Sequence, residues 1–106
     1  MLAYYHAMAD VFKALADPTR RLILDELAER NEQTLFEICG RLATRHSLSL
    51  TRQAISQHLE ILEKSGLVRT RREGRYKFHS IDTTPLEPVM SRWLRGTITE
   101  EKGVSE

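Results

Sequence analysis

The sequence predicts a mainly α-helical domain with one small β-hairpin, and three observations carry that expectation. Apolar residues recur at steps of three and four through five segments, the spacing that gives a helix one buried face. Residues 67–81 read instead as two short strands around the tip Arg72-Glu73-Gly74-Arg75, where glycine permits a tight turn. A chain of 106 residues, 41% of them hydrophobic, suits one core that buries about two-thirds of the surface the unfolded chain exposes. Residues 1–96 are expected to form that domain, and residues 97–106 a polar tail.

The first helix is expected over residues 2–16. Its only polar residues, His6, Asp10 and Lys13, fall on one stripe, and the rest, including Tyr5, Met8, Ala9 and Phe12, is apolar. A surface helix of a small monomer usually has a narrower apolar face. Burial against both its own core and a second subunit explains the excess; deep burial in one domain is the alternative. Asp17-Pro18 opens the second helix, with Asp as cap and Pro at the first helical position. That helix runs to about Arg30 and carries Leu22, Ile23, Leu24 and Leu27. A polar break, Asn31-Glu32-Gln33, precedes a third helix with Leu35, Ile38, Cys39 and Leu42 on one face.

Ser47 to Leu50 leads to a fourth helix capped by Thr51, with Ile55, Leu59 and Leu62 as its apolar stripe. Gly66 can take the left-handed conformation that ends a helix, and Leu67 is placed to pack back on it. In the hairpin, Tyr76 and Phe78 alternate on one face and read as the side that packs on the body. Asp82 to Pro85 begins a fifth helix bearing Leu86, Val89, Met90, Trp93 and Leu94, closed by Gly96.

Charge is unevenly spread. The net charge is only +1, yet residues 51–79 hold seven Lys/Arg against three Glu, a local +4. Such a patch serves phosphate contact. The fourth helix exposes Thr51, Arg52, Gln53, Ser56, Gln57 and His58 near its start, side chains suited to base edges and phosphates in a major groove. For His58, a hydrogen bond to a backbone group at the core is the competing reading. Arg72 and Arg75 are expected to face each other across the hairpin tip at a cost of roughly 0.2–1 kcal/mol, which an anionic partner removes. Arg71 can assist them.

Other classes fit poorly. No paired carboxylates share a face, no nucleophile has a base nearby in sequence, and the isolated glycines form no phosphate-cradling loop. An enzyme is therefore not expected, nor a cofactor. One cysteine excludes an internal disulfide framework and fits a reducing cytoplasm. No signal peptide or membrane-spanning run stands out, so a cytoplasmic location is expected.

Five helices with a hairpin between the fourth and fifth is the order of a winged helix-turn-helix. The run Phe12-Lys13-Ala14-Leu15-Ala16-Asp17-Pro18-Thr19-Arg20-Arg21-Leu22-Ile23-Leu24, with Ser56-Gln57-His58-Leu59 and Ser65-Gly66-Leu67-Val68, resembles the ArsR-like transcriptional repressors over roughly residues 4–95. The resemblance implies a homodimer on a palindromic operator, released in many members by a ligand or metal. It implies reading-helix positions at Thr51, Arg52, Gln53, Ser56, Gln57 and His58, and a wing tip at Arg72 and Arg75. It also implies dimerisation through the first and last helices, hence Tyr5, Met8, Phe12, Leu86, Val89, Met90 and Trp93.

Two features depart from that family. The connection before the fourth helix is several residues longer than usual, with Ala43 to Ser49 as the candidate insertion; it either lengthens the third helix or splays the turn. Arg45 and His46 there read as a solvated helix end, with phosphate contact as the alternative. Metal-responsive members pair cysteines on the third helix, or histidines and acids on the last. Here Cys39 stands alone, and His6, His46, His58 and His79 share no ligand spacing. No metal site is expected, and Cys39 reads as a buried structural thiol. Two competing functions remain: a winged-helix protein-interaction module, and a thiol-responsive sensor acting through Cys39.

Overall fold

In the computed structural model, residues 2–94 are described, with side chains from Met8 to Trp93. Four helices come first: α1 (Leu2–Ala16), α2 (Pro18–Glu29), α3 (Leu35–His46) and α4 (Arg52–Lys64). Strands β1 (Val68–Glu73) and β2 (Tyr76–Ile81) pair antiparallel. A last helical segment, α5, follows over residues 84–94. The mainly helical winged fold is as expected. Gly96, the polar tail and the side chain of Tyr5 lie outside the described residues.

The Asp-Pro-Thr-Arg-Arg run builds the α1–α2 corner. Asp17 accepts a hydrogen bond from the Arg20 amide at 3.0 Å, and Pro18 opens α2. Arg20 then reaches back, donating to the carbonyls of Ala14 (2.8 Å) and Lys13 (3.1 Å). Arg21 does the same for Leu15 (2.7 Å) and Ala16 (3.1 Å). The last four carbonyls of α1, which have no partner further along their own helix, are thus all met by cations that also suit the negative helix end.

The core gathers Val11 and Ala14 of α1, Ile23, Leu24 and Leu27 of α2, Ile38 and Leu42 of α3, and Ile55, Leu59 and Leu62 of α4, with Leu67 and Val68. These are the expected stripes. Behind the core, the buried carboxylate of Glu26 accepts from Arg41 Nε at 2.6 Å and pairs with His46 at 2.8 Å and Arg45 at 3.3 Å. Arg45 also grips Glu29 at 2.8 Å. Arg45 and His46 therefore lash α3 to α2.

The long connection resolves in favour of a longer helix. Helix α3 continues to His46, and Ser47 ends it in the left-handed region at φ 52, with the Leu48 amide returning to the Leu42 carbonyl at 3.0 Å. Its start carries a capping box, Thr34 with Glu37, that the spacing T-x-x-E encodes. At the other end of α4, Gly66 sits at φ 85, and a Cβ there would come within 3.1 Å of Pro85 Cγ. Both conformation and space call for glycine.

Two expectations about the hairpin are corrected. The register opposes Arg72 to Lys77, with Glu73 opposite Tyr76 and a two-residue loop, Gly74-Arg75, between them. Like charges do face each other, but the pair is Arg72 and Lys77 while Arg75 occupies the turn. Gly74, at φ 61, takes the first loop position, where the turn needs a positive φ. Secondly, Tyr76 and Phe78 do not seat the wing on the body. Tyr76 is exposed, and the body-facing set on β2 includes His79, only 5% exposed. Side chains alternate along a strand, so a shift of one residue exchanges the faces.

The wing is rooted through that histidine. His79 and Gln33 exchange both backbone hydrogen bonds (3.0 and 2.8 Å), and His79 Nδ1 donates to the Gln33 carbonyl at 2.9 Å. Asn31 Oδ1 accepts from the Ile81 amide at 3.0 Å. The Gln33 side chain donates in turn to the carbonyls of Arg30 (2.6 Å) and Glu26 (3.1 Å) at the end of α2. The last residue of the polar break, Gln33, is thus a buried clasp, while Asn31 and Glu32 stay at the surface.

The fifth helix is broken rather than regular: a 3₁₀ turn (Thr84–Leu86), one α turn (Glu87–Val89) and a π turn (Met90–Leu94). Pro85 and Pro88 offer no amide hydrogen, so the usual i to i−4 ladder cannot run through them.

Candidate nucleic-acid interface

Helix α4 is set by its start. Thr51 Oγ1 accepts from the Ala54 amide at 3.0 Å, which fixes the first turn and leaves Arg52 and Gln53 exposed on it. Further along, Gln57 is exposed and Ser56 half-buried, while the opposite stripe is spent in the core. Among the described residues, neither Gln53 nor Gln57 spends its amide on the chain itself. The Arg52 guanidinium lies over the Phe36 ring, 5.6 Å from its centroid.

The wing stands beside this helix, braced by Glu63 of α4. Glu63 accepts from Thr70 at 3.1 Å and pairs with Lys77 at 3.7 Å. An open cleft of about 300 Å³ runs between the two elements. Thr34, Leu35 and Phe36 at the start of α3 wall one side, Ser56 and Leu59 of α4 the floor, and Arg75, Tyr76, Lys77 and His79 the wing side. Arg72 and Arg75 are exposed and make no ion pair among the described residues. Arg75 on the cleft wall and Arg72 beside it on the wing, neither with a carboxylate partner among the described residues, favour an anionic partner on this side of the molecule.

Two of the nine expected contacts are engaged elsewhere. His58 Nδ1 meets Arg20 Nη1 at 3.2 Å and lies 4.0 Å from Asp17. Since a guanidinium only donates, Nδ1 is the acceptor here. His58 thus belongs to the α1–α2 corner, because its position on α4 points toward α2 and away from the cleft residues. Arg71 donates to Glu32 at 3.0 Å and to Glu73 at 2.6 Å, and it covers the Phe78 ring at 4.9 Å. It sits on the wing face opposite Arg72, so strand alternation separates it from that residue.

The residues expected at a subunit contact also divide. Met8 is 7% exposed and Leu86 packs against the core, so both are largely spent within one chain. Phe12, Met90 and Trp93 remain exposed at 44, 52 and 58%, and Val89 is half-buried. Cys39 is half-buried as well, and burial pushes its thiol above the ordinary value although the charge of Arg52 pulls the other way. Among the described residues, no three His, Cys, Asp or Glu side chains converge on a point that could hold a metal.

Phe36, Gln33 and Glu26 carry no functional signal in the sequence. Gln33 and Glu26 look like ordinary surface polar residues there. Phe36 is visible only as an aromatic off the apolar stripe of α3.

Comparison with known proteins agrees with this geometry. A helix-turn-helix domain family matches residues 15–71. An uncharacterised HTH-type transcriptional regulator of Bacillus subtilis, YuzN, is 52% identical over 84 residues, covering 79% of this chain and 91% of the relative. Among solved structures, an ArsR-like transcriptional regulator from Rhodococcus sp. RHA1 superposes with a TM-score of 0.72 at 31% identity, covering 99% of this chain and 90% of that one. The homodimeric winged helix-turn-helix DNA-binding domain Mb0332 from Mycobacterium bovis gives a TM-score of 0.66 at 27% identity, covering 97% and 86%.

Proposed function

The chain belongs to the ArsR-like winged helix-turn-helix transcriptional regulators, and we propose that it acts as a homodimeric repressor reading a palindromic operator in double-stranded DNA. The observation that carries this reading is the cleft shared by the start of α3, the middle of α4 and the wing, with Arg75, which has no carboxylate partner among the described residues, on its wall. Helix α4 enters the major groove by its first turn. Arg52 and Gln53 read base edges there, arginine suiting guanine and glutamine suiting adenine. Thr51, Ser56 and Gln57 fix register on phosphates. Arg72 and Arg75 follow the flanking backbone or minor groove. His58 and Arg71, given their internal partners, position these elements without touching DNA.

Self-association rests on Phe12, Met90 and Trp93, the exposed large apolar residues of α1 and α5 among those described, and on the homodimeric state of Mb0332. A two-fold dimer would contact half-sites about 34–36 Å apart. Repression follows if the bound dimer blocks polymerase, and the protein would work in the cytoplasm with the DNA. Selecting bound fragments from a random duplex library tests the reading. Enrichment of an inverted repeat supports it; recovery of no preferred sequence would sink it. A reporter behind that operator then separates repression from activation.

Two further expectations arise here. Arg75→Ala should weaken binding to all sequences and reduce the slope of log affinity against log salt by roughly 1 for each phosphate no longer neutralised. An unchanged slope takes the wing tip out of the interface. Trp93→Ala should shift the dimer toward monomer by about 2 kcal/mol, since buried aromatic anchors dominate such contacts. Analytical ultracentrifugation reads this directly, and an unaltered dimer constant removes α5 from the subunit contact.

A further inference from the structure

We propose that Phe36 is a specificity-determining platform, holding the Arg52 guanidinium in the orientation from which it reads a base; this rests on the assignment of Arg52 as a base reader. Phe36 is 70% exposed, the most exposed large apolar side chain among the described residues, so packing does not account for it. Arg52 Cζ sits 5.6 Å from its ring centroid, within the roughly 6 Å over which a ring face attracts a cation.

Both partners stand on fixed ground. Phe36 lies in the first turn of α3, locked by the Thr34–Glu37 capping box, with the Glu37 carboxylate accepting from the Thr34 amide at 3.0 Å. Arg52 is the first residue of α4, locked by Thr51. No carboxylate among the described residues pairs with Arg52, so the ring is what restrains it. A guanidinium drawn to a ring by its charge spends no N–H on an acceptor there, so its donors stay for another partner. Guanine needs two such donors side by side. A long arginine otherwise loses rotamer freedom when it docks, and the ring removes part of that loss before DNA arrives.

The test is a double-mutant cycle on the duplex enriched from the random library. Phe36→Leu keeps an apolar side chain of similar size and removes the aromatic face. It is expected to weaken binding about two- to five-fold and to flatten the preference at the base step that Arg52 reads, with the thermal midpoint unchanged. Phe36→Tyr should restore both. In an Arg52→Ala background, Phe36→Leu should add nothing. An equal loss in both backgrounds would mean that Phe36 touches DNA itself, and would overturn the platform. So would an unaltered affinity and preference in Phe36→Leu while Arg52→Ala is impaired. If Arg52→Ala binds like the parent with the same preference, the base-reading assignment fails first and takes the platform with it.

Discussion

Glu26→Ala is expected to lower the free energy of unfolding by up to about 3 kcal/mol at neutral pH, because it removes a buried carboxylate that accepts charge-assisted hydrogen bonds from partly exposed partners. The carboxylate is 2% exposed and is shared by Arg41 at 2.6 Å, His46 at 2.8 Å and Arg45 at 3.3 Å. Glu29 still faces Arg41 and Arg45, which keeps the loss at the lower end for a broken buried pair. Glu26→Gln keeps the shape and some of the hydrogen bonding and should fall between. Urea unfolding at fixed protein concentration measures the difference; an unmoved midpoint with an unchanged slope would show that the cluster contributes nothing net.

Acid gives an independent check. Burial pushes the Glu26 carboxyl up, but the hydrogen bonds from His46 and Arg41 and the charges of Arg41 and Arg45 outweigh it, and the group is held below its ordinary value. A carboxyl lowered in the folded state stabilises that state above its unfolded pKa, near 4.3. The contribution is lost as pH falls through the folded value. The parent and Glu26→Ala curves should therefore draw together as pH falls below the unfolded value. A gap that persists in strong acid would assign the loss to packing instead.

Arg52→Ala is the second large effect, expected to cost about 1–3 kcal/mol of operator affinity, or roughly 5- to 150-fold. A dimer carries the residue twice, so preference should relax at one base step in each half-site. Repeating the library selection with the variant reads this without knowing the operator beforehand. An identical enriched motif at full affinity would leave Gln53 and Gln57 as the readers on α4.

Much of this was legible in the chain. The stripes of α2, α3 and α4, the caps at Asp17 and Thr51 and the turn at Gly74 each follow from local chemistry, and the structure places them there. What escaped depends on contacts distant in sequence. His58 lies 38 residues from Arg20, and His79 lies 46 from Gln33, so neither pairing leaves a trace in periodicity. The hairpin face is misleading in the sequence because Tyr76 and Phe78 are more apolar than His79. Hydrogen bonds to the Gln33 backbone, rather than apolarity, decide which side turns inward. The irregularity of α5 was present in the sequence as two prolines three apart.

The clasp between Gln33 and His79 grips the hairpin at the third of its six paired positions from the base, four residues before the Gly74-Arg75 loop is reached. Anchorage and reach are therefore separable in this appendage. Changes to the Gly74-Arg75 loop would then alter the grip on a target while the pairing through His79 holds the stem.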